Sequence, residues 1–150
     1  MITPRLKILF LCTGNACRSQ MAEGWARRLN NDALEVWSAG IAPYGVDPRA
    51  VQVMRETGVD ISGHHSKHVN ELLTIPFDWV ITVCDHASEN CPVFPGSATH
   101  KTLRYHHGFN DPPSLARHET DPERALNHYR RVRDEIRDFV MTLPEVLNGL

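Results

Sequence analysis

Cysteine and arginine carry the strongest chemistry in this sequence, and they meet in one short stretch. Residues 9–19 read Leu-Phe-Leu-Cys12-Thr13-Gly14-Asn15-Ala16-Cys17-Arg18-Ser19. The largely apolar run Leu6–Leu11 predicts a buried strand and the pattern after Ser19 an amphipathic helix, so a tight loop joins them. A loop so placed turns backbone N–H groups, with the positive end of the helix behind them, into one concavity that suits a tetrahedral oxyanion. Arg18 adds a bidentate fork to the same hollow. Thr13, Gly14, Asn15, Ala16, Cys17, Arg18 and Ser19 are therefore the expected anion-binding residues. Cys12 stands at the mouth of this field, which should stabilise its thiolate and bring its pKa well below the free value of about 8.5. That makes it a candidate nucleophile. The plainer reading is a buried free cysteine beside a structural arginine, as free cysteines commonly are. Strand before, helix after and Gly14 in the turn favour the nucleophile.

The elements that must position this loop follow in chain order. Ser19–Leu29 predicts a helix with Met21, Trp25 and Leu29 on one face, and Asn30-Asn31-Asp32 ends it. Leu34–Ala39 predicts a second strand, joined to the first by a right-handed crossover, which puts Ser38 near the loop at a carboxyl rim. Asp47-Pro48 reads as the N-cap and first residue of a helix over Arg49–Thr57, closed by Gly58. An irregular, histidine-rich stretch from Val59 to His68 leads to a short helix at Val69–Leu73 and a break at Pro76. Asp78–Cys84 predicts a third buried strand. Working groups of open α/β sheets gather beyond the carboxyl ends of strands, so Cys84 should reach the same rim as Cys12. Asp85–Cys91 is polar and helix-compatible, Pro92–Gly96 a turn, and Lys101–His107 a fourth strand. Gly108–Pro113 is its exit loop and contains Asp111. Asp121-Pro122 opens a last helix reaching about Thr142, with Leu126, Tyr129, Val132, Ile136, Phe139 and Val140 along its apolar stripe.

Bulk properties narrow the functional classes. With 150 residues, 41% of them hydrophobic, the chain suits one α/β core, so a single domain over 1–150 is expected. A formal charge of −2 and the lack of a basic run with interleaved aromatics argue against a nucleic-acid surface. No stretch is apolar enough to span a membrane and no export leader is apparent, so no membrane association and a cytoplasmic location are expected. In that compartment four cysteines suit catalysis, redox exchange or metal binding better than permanent disulfides. His64, His65 and His68 could be taken for a metal cluster, but no cysteine or carboxylate completes a ligand set at a recognised spacing, and no metal is expected. Cys17, beside Arg18, is read as turning into the core.

Cys12-x5-Arg18-Ser19 directly after a first strand resembles the low-molecular-weight tyrosine phosphatases. The fuller string from Cys12 to Gly24 is more specifically similar to the arsenate reductases built on that fold. That second resemblance extends to the Ser38–Ile41 turn, the segment Cys84–Pro92, the Gly108–Pro112 loop and Arg131–Ile136. It implies a three-layer α/β fold around a four-stranded parallel sheet, a monomer, and thioredoxin-coupled reduction of arsenate to arsenite with no tightly bound cofactor. Phosphate or sulfate could occupy the same loop. By the same resemblance Cys84 and Cys91 are the resolving thiols and Asp111 the general acid. An Asp in a Pro-stiffened loop is suited to that task, although an ordinary turn aspartate ahead of Pro112 is the plainer reading. Two departures stand out. Pro113 and Ser114 follow Asp111 where the phosphatase branch carries an aromatic pair, so the aryl pocket is missing. Lys67 stands where potassium-binding reductases carry an aspartate. Asn15, Glu23 and Ser38, the other residues at that potassium site, are present, and with Lys67 they are expected to support the loop without the ion. The nearest rival to reduction is hydrolysis of phosphotyrosine or a small phosphoester by Cys12, Arg18 and Asp111; a non-catalytic anion or metal sensor is a rival of another class.

Overall fold

Burial on both faces places a parallel sheet in the middle of a protein, and β1 (Leu6–Cys12) has it. Ile8, Leu9, Phe10 and Leu11 are all fully buried although successive side chains point to opposite faces. Layers of structure must therefore cover both sides. The computed structural model describes residues 4–95 and 100–150; Gly96, the end of the expected Pro92–Gly96 turn, lies outside them. The other strands are β2 (Leu34–Gly40), β3 (Trp79–Thr82) and β4 (Leu103–His106), and the sheet order is β2-β1-β3-β4, every pair parallel. Register aligns the carboxyl ends: Cys12 pairs with Gly40, Leu11 with Thr82, and Thr82 with His106. That rim is where the loop opens.

The helices are α1 (Arg18–Leu29), α2 (Pro48–Glu56), α3 (Asp85–Glu89), α4 (Pro112–Ala116), α5 (Pro122–Val140) and α6 (Glu145–Asn148), with one 3₁₀ turn at Val69–Leu72. The α1 helix packs on β2 and α5, and Trp25 Nε1 donates to the Arg133 carbonyl of α5 at 3.1 Å. Met21 and Trp25 are buried as the periodicity predicts, but Leu29 is 42% exposed, like Arg27 and Arg28 beside it in the last turn of α1. The α5 stripe is buried along its whole length, from Leu126 to Val140. Strands three and four are shorter than their apolar runs suggest. β4 is an edge strand with three of its four residues exposed, including Arg104, which suits an edge open to solvent. The helical segment after Cys84 stops at Glu89 rather than reaching Cys91. Helices α4 and α6 were not anticipated, being too short to display a 3.6-residue stripe.

Candidate active site

Cys12 ends β1 and is 2% exposed. Its Sγ lies 2.8 Å from Ser19 Oγ, at the start of α1. Burial pushes this thiol above its ordinary pKa; the Ser19 hydroxyl and backbone N–H and the Arg18 charge pull the other way without prevailing. This corrects the expectation of a depressed value, which weighed the field of the loop but not the desolvation of a thiolate enclosed on all sides. Cys17, also buried, is pushed well above the usual range. Asn15 takes φ 47°, a left-handed conformation that asparagine tolerates better than most residues, and is fully buried. Its Nδ2 donates to Ser19 Oγ at 2.8 Å, so it orients the hydroxyl that faces the sulfur. Gly40, paired with Cys12, must be glycine: a Cβ there would stand 2.6 Å from the Thr13 carbonyl oxygen. Gly14 likewise leaves room for the Tyr44 ring, which lies against it at the mouth of the loop.

A second layer holds Asn15. The backbone N–H of Lys67 donates to Asn15 Oδ1 at 3.0 Å, while Gln20 Nε2 and Ser66 Oγ donate to its carbonyl at 3.0 and 2.6 Å. Lys67 turns inward: Nζ donates to the Ser38 carbonyl at 2.8 Å and the His65 carbonyl at 3.1 Å. Burial draws its pKa below the ordinary lysine value and the Glu23 charge partly restores it. Glu23, 6% exposed, accepts from Ser38 Oγ at 2.7 Å and from Arg27 Nε at 3.1 Å, with His64 Nε2 at 3.5 Å. These residues do not fit a potassium ion. The ammonium already occupies the carbonyls, and the carboxylate oxygens are engaged. The histidines have local uses too: His64 Nδ1 meets Gln20 Oε1 at 2.9 Å, and His68 forms a reciprocal capping box with Glu71 on the 3₁₀ turn.

From the third strand, Cys84 reaches the loop, its Sγ 3.3 Å from Thr13 Oγ1. The same sulfur caps α3, accepting from the Ala87 N–H at 3.4 Å. Cys91 is half-buried two residues beyond α3, its thiol directed to the Pro92 carbonyl at 3.6 Å, and no described contact joins it to Cys12 or Cys84. Asp111 comes to the loop from the other side: Oδ1 is 3.4 Å from Arg18 Nη2, and Arg18 Nη1 donates to the Phe109 carbonyl at 3.1 Å. The Phe109 ring stacks on His107, which packs on Phe139 of α5, so the approach to Asp111 is braced against the core. Sequence reasoning missed the roles of Gln20, Ser66 and Tyr44 at this site, and the contact of Ser114 with Asp111, since no spacing signals them.

Fold and loop together define a parallel α/β protein with a cysteine at the end of its first strand and an arginine at the head of its first helix. The family model described as low molecular weight phosphotyrosine protein phosphatase matches residues 7–149, and the chain belongs to that family. Within it, the chain is similar to an arsenate reductase of Halalkalibacterium halodurans, 45% identical over 138 residues that cover 92% of this chain and 94% of the relative. Two solved arsenate reductases, one in the reduced and one in the oxidized state, are each 30% identical. The first aligns with a TM-score of 0.68 over 95% of this chain and 98% of its own. For the second the TM-score is 0.71, with 91% and 95% covered. Among the described residues no helix is long and apolar enough to cross a membrane.

Proposed function

We propose that this chain is an arsenate reductase working as a single cytoplasmic domain, with Cys12, Cys84 and Cys91 as a thiol relay and thioredoxin as the external reductant. The observation that carries the reading is Cys84 Sγ within 3.3 Å of Thr13, a second thiol at the nucleophile's own loop. Hydrolysis of an ester has no use for it. Arsenate enters against the loop amides and Arg18 and takes the thiol proton that burial keeps on Cys12. The Cys12 sulfur attacks arsenic; the S–As bond forms and one As–O bond breaks, the departing oxygen taking a proton from Asp111 and leaving as water. Cys84 thiolate, held by the Ala87 N–H and the Thr13 hydroxyl, then attacks Cys12 Sγ. The S–S bond forms, the S–As pair of electrons goes to arsenic, and arsenite departs. Cys91 attacks Cys84 and frees Cys12, leaving a Cys84–Cys91 bridge for the dithiol of thioredoxin to reduce.

The test is arsenate-dependent NADPH oxidation with thioredoxin and its reductase, beside a phosphoester hydrolysis control. Cys12→Ser should abolish both activities. Cys84→Ser and Cys91→Ser should lose coupled turnover and keep any hydrolysis the wild type has. Hydrolysis with no arsenate-dependent turnover in the wild type would favour a phosphatase instead.

A further inference from the structure

Three helices of this chain begin at an Asp-Pro pair, and they do not use the aspartate alike. Asp47, ahead of α2, accepts from the Arg49 N–H at 2.9 Å; Asp121, ahead of α5, accepts from the Glu123 N–H at 3.0 Å. In both, the donor is the second helical residue, an ordinary capping partner. Ahead of α4 the second helical residue is Pro113, which has no N–H, and the Asp111 side chain caps nothing. Its oxygens go elsewhere. Oδ1 lies 3.4 Å from Arg18 Nη2, and Oδ2 accepts from Ser114 Oγ at 2.7 Å.

We propose that Pro113 and Ser114 are positioning residues for Asp111: Pro113 removes the amide that would capture the carboxylate, and Ser114 holds Oδ2 while Oδ1 stays on the Arg18 side, facing the loop. The inference rests on the reading of Asp111 as the general acid. An amide can only donate, so a capped carboxylate is favoured ionised and is turned toward its own helix. The Ser114 hydroxyl donates to Oδ2 both in the ionised carboxylate and in the neutral carboxyl that carries its proton on Oδ1, so Ser114 keeps the group oriented before and after the proton leaves. With Oδ2 so held, the proton transferred is the one on Oδ1. The O–H bond of Asp111 breaks, the departing arsenate oxygen takes the proton, and water leaves. The substitutions below leave in place the other groups that act electrostatically around Asp111, namely Arg18 from α1, Cys17 in the loop and Tyr44 after β2.

The experiment is a single turnover. Fully reduced protein is mixed with excess arsenate without any external reductant, and thiol loss is followed by quench to give a maximal rate and a half-saturating arsenate concentration. Asp111→Asn should slow the maximal rate about a hundredfold. Ser114→Ala and Pro113→Ala should each slow it about three- to tenfold with half-saturation little changed, because orientation rather than anion binding is lost. Ser114→Thr, which keeps the hydroxyl, should restore the rate. On the Asp111→Asn background neither alanine substitution should slow it further, since both act through that carboxylate. Wild-type rates in Ser114→Ala and Pro113→Ala, or an equal slowing with and without Asp111, would overturn the proposal while leaving Asp111 as the acid. A wild-type rate in Asp111→Asn would overturn the general-acid reading and the proposal with it.

Discussion

A lysine ammonium set among carbonyl oxygens supplies the charge of a bound alkali cation and repels a second one. Lys67 is so placed, on the Ser38 and His65 carbonyls, with its backbone N–H on Asn15. Its covalent tether keeps the ammonium in place, and burial draws its pKa below the ordinary lysine value. The thermal midpoint and the arsenate KM should therefore agree within error in sodium and potassium salts of equal ionic strength. A clear gain specific to potassium would show that Lys67 does not fill the site. Lys67→Met should lower stability by about 1–2 kcal/mol, since the Ser38 carbonyl loses a charged donor.

At the scale of elements, α3 and its flanks are the part that the proposed relay requires to change. Cys84 and Cys91 are seven residues apart, about 10 Å if helical throughout, while a disulfide needs its Cα atoms about 5.5 Å apart. The helix ends at Glu89, which shortens what must unwind, but the bonds Ser88 N–H to Cys84 O at 3.1 Å and Asn90 N–H to His86 O at 3.0 Å still lie between the two thiols. The sulfur of Cys84 is also the cap of α3, so forming the bridge removes the cap it provides. Hydrogen exchange over residues 85–90 should be faster in the oxidised protein than in the reduced one, and equal protection would argue against the switch. His106 ties the start of α3 to the sheet, with Nε2 3.0 Å from Asp85 Oδ1 and Nδ1 2.7 Å from Thr82 Oγ1, so the change should be greatest toward Cys91. Elements like these were legible in the sequence where one force dominates locally. Strand β1, the α5 stripe and the helix starts at Asp47-Pro48 and Asp121-Pro122 are examples. The protonation of Cys12 was not legible, because desolvation depends on how many layers close over the loop. Nor were Tyr44 against Gly14 or Ser114 on Asp111, contacts set by loop paths that no periodicity encodes.

At the scale of the whole molecule, two buried thiols and a buried phenol favour their neutral forms, and this sets how stability responds to alkaline pH. Cys12 and Cys17 are both pushed up by burial, and Tyr129, whose hydroxyl donates to Asp47 Oδ2 at 2.6 Å, is pushed up strongly as well. Unfolding frees all three to ionise at ordinary values, so the unfolded chain binds fewer protons above about pH 8.5 and stability falls as pH climbs from there. The thermal midpoint should drop between pH 8 and 10, and less steeply in Cys17→Ala; identical slopes would contradict this. The same burial favours the protonated Cys12 thiol, and stoichiometry is the most direct check on the proposed relay. Fully reduced protein, freed of every external thiol and given excess arsenate, should release one arsenite per chain, lose two of its four free thiols, and yield a Cys84–Cys91 peptide on digestion. Retention of all four thiols with no arsenite formed would contradict the account.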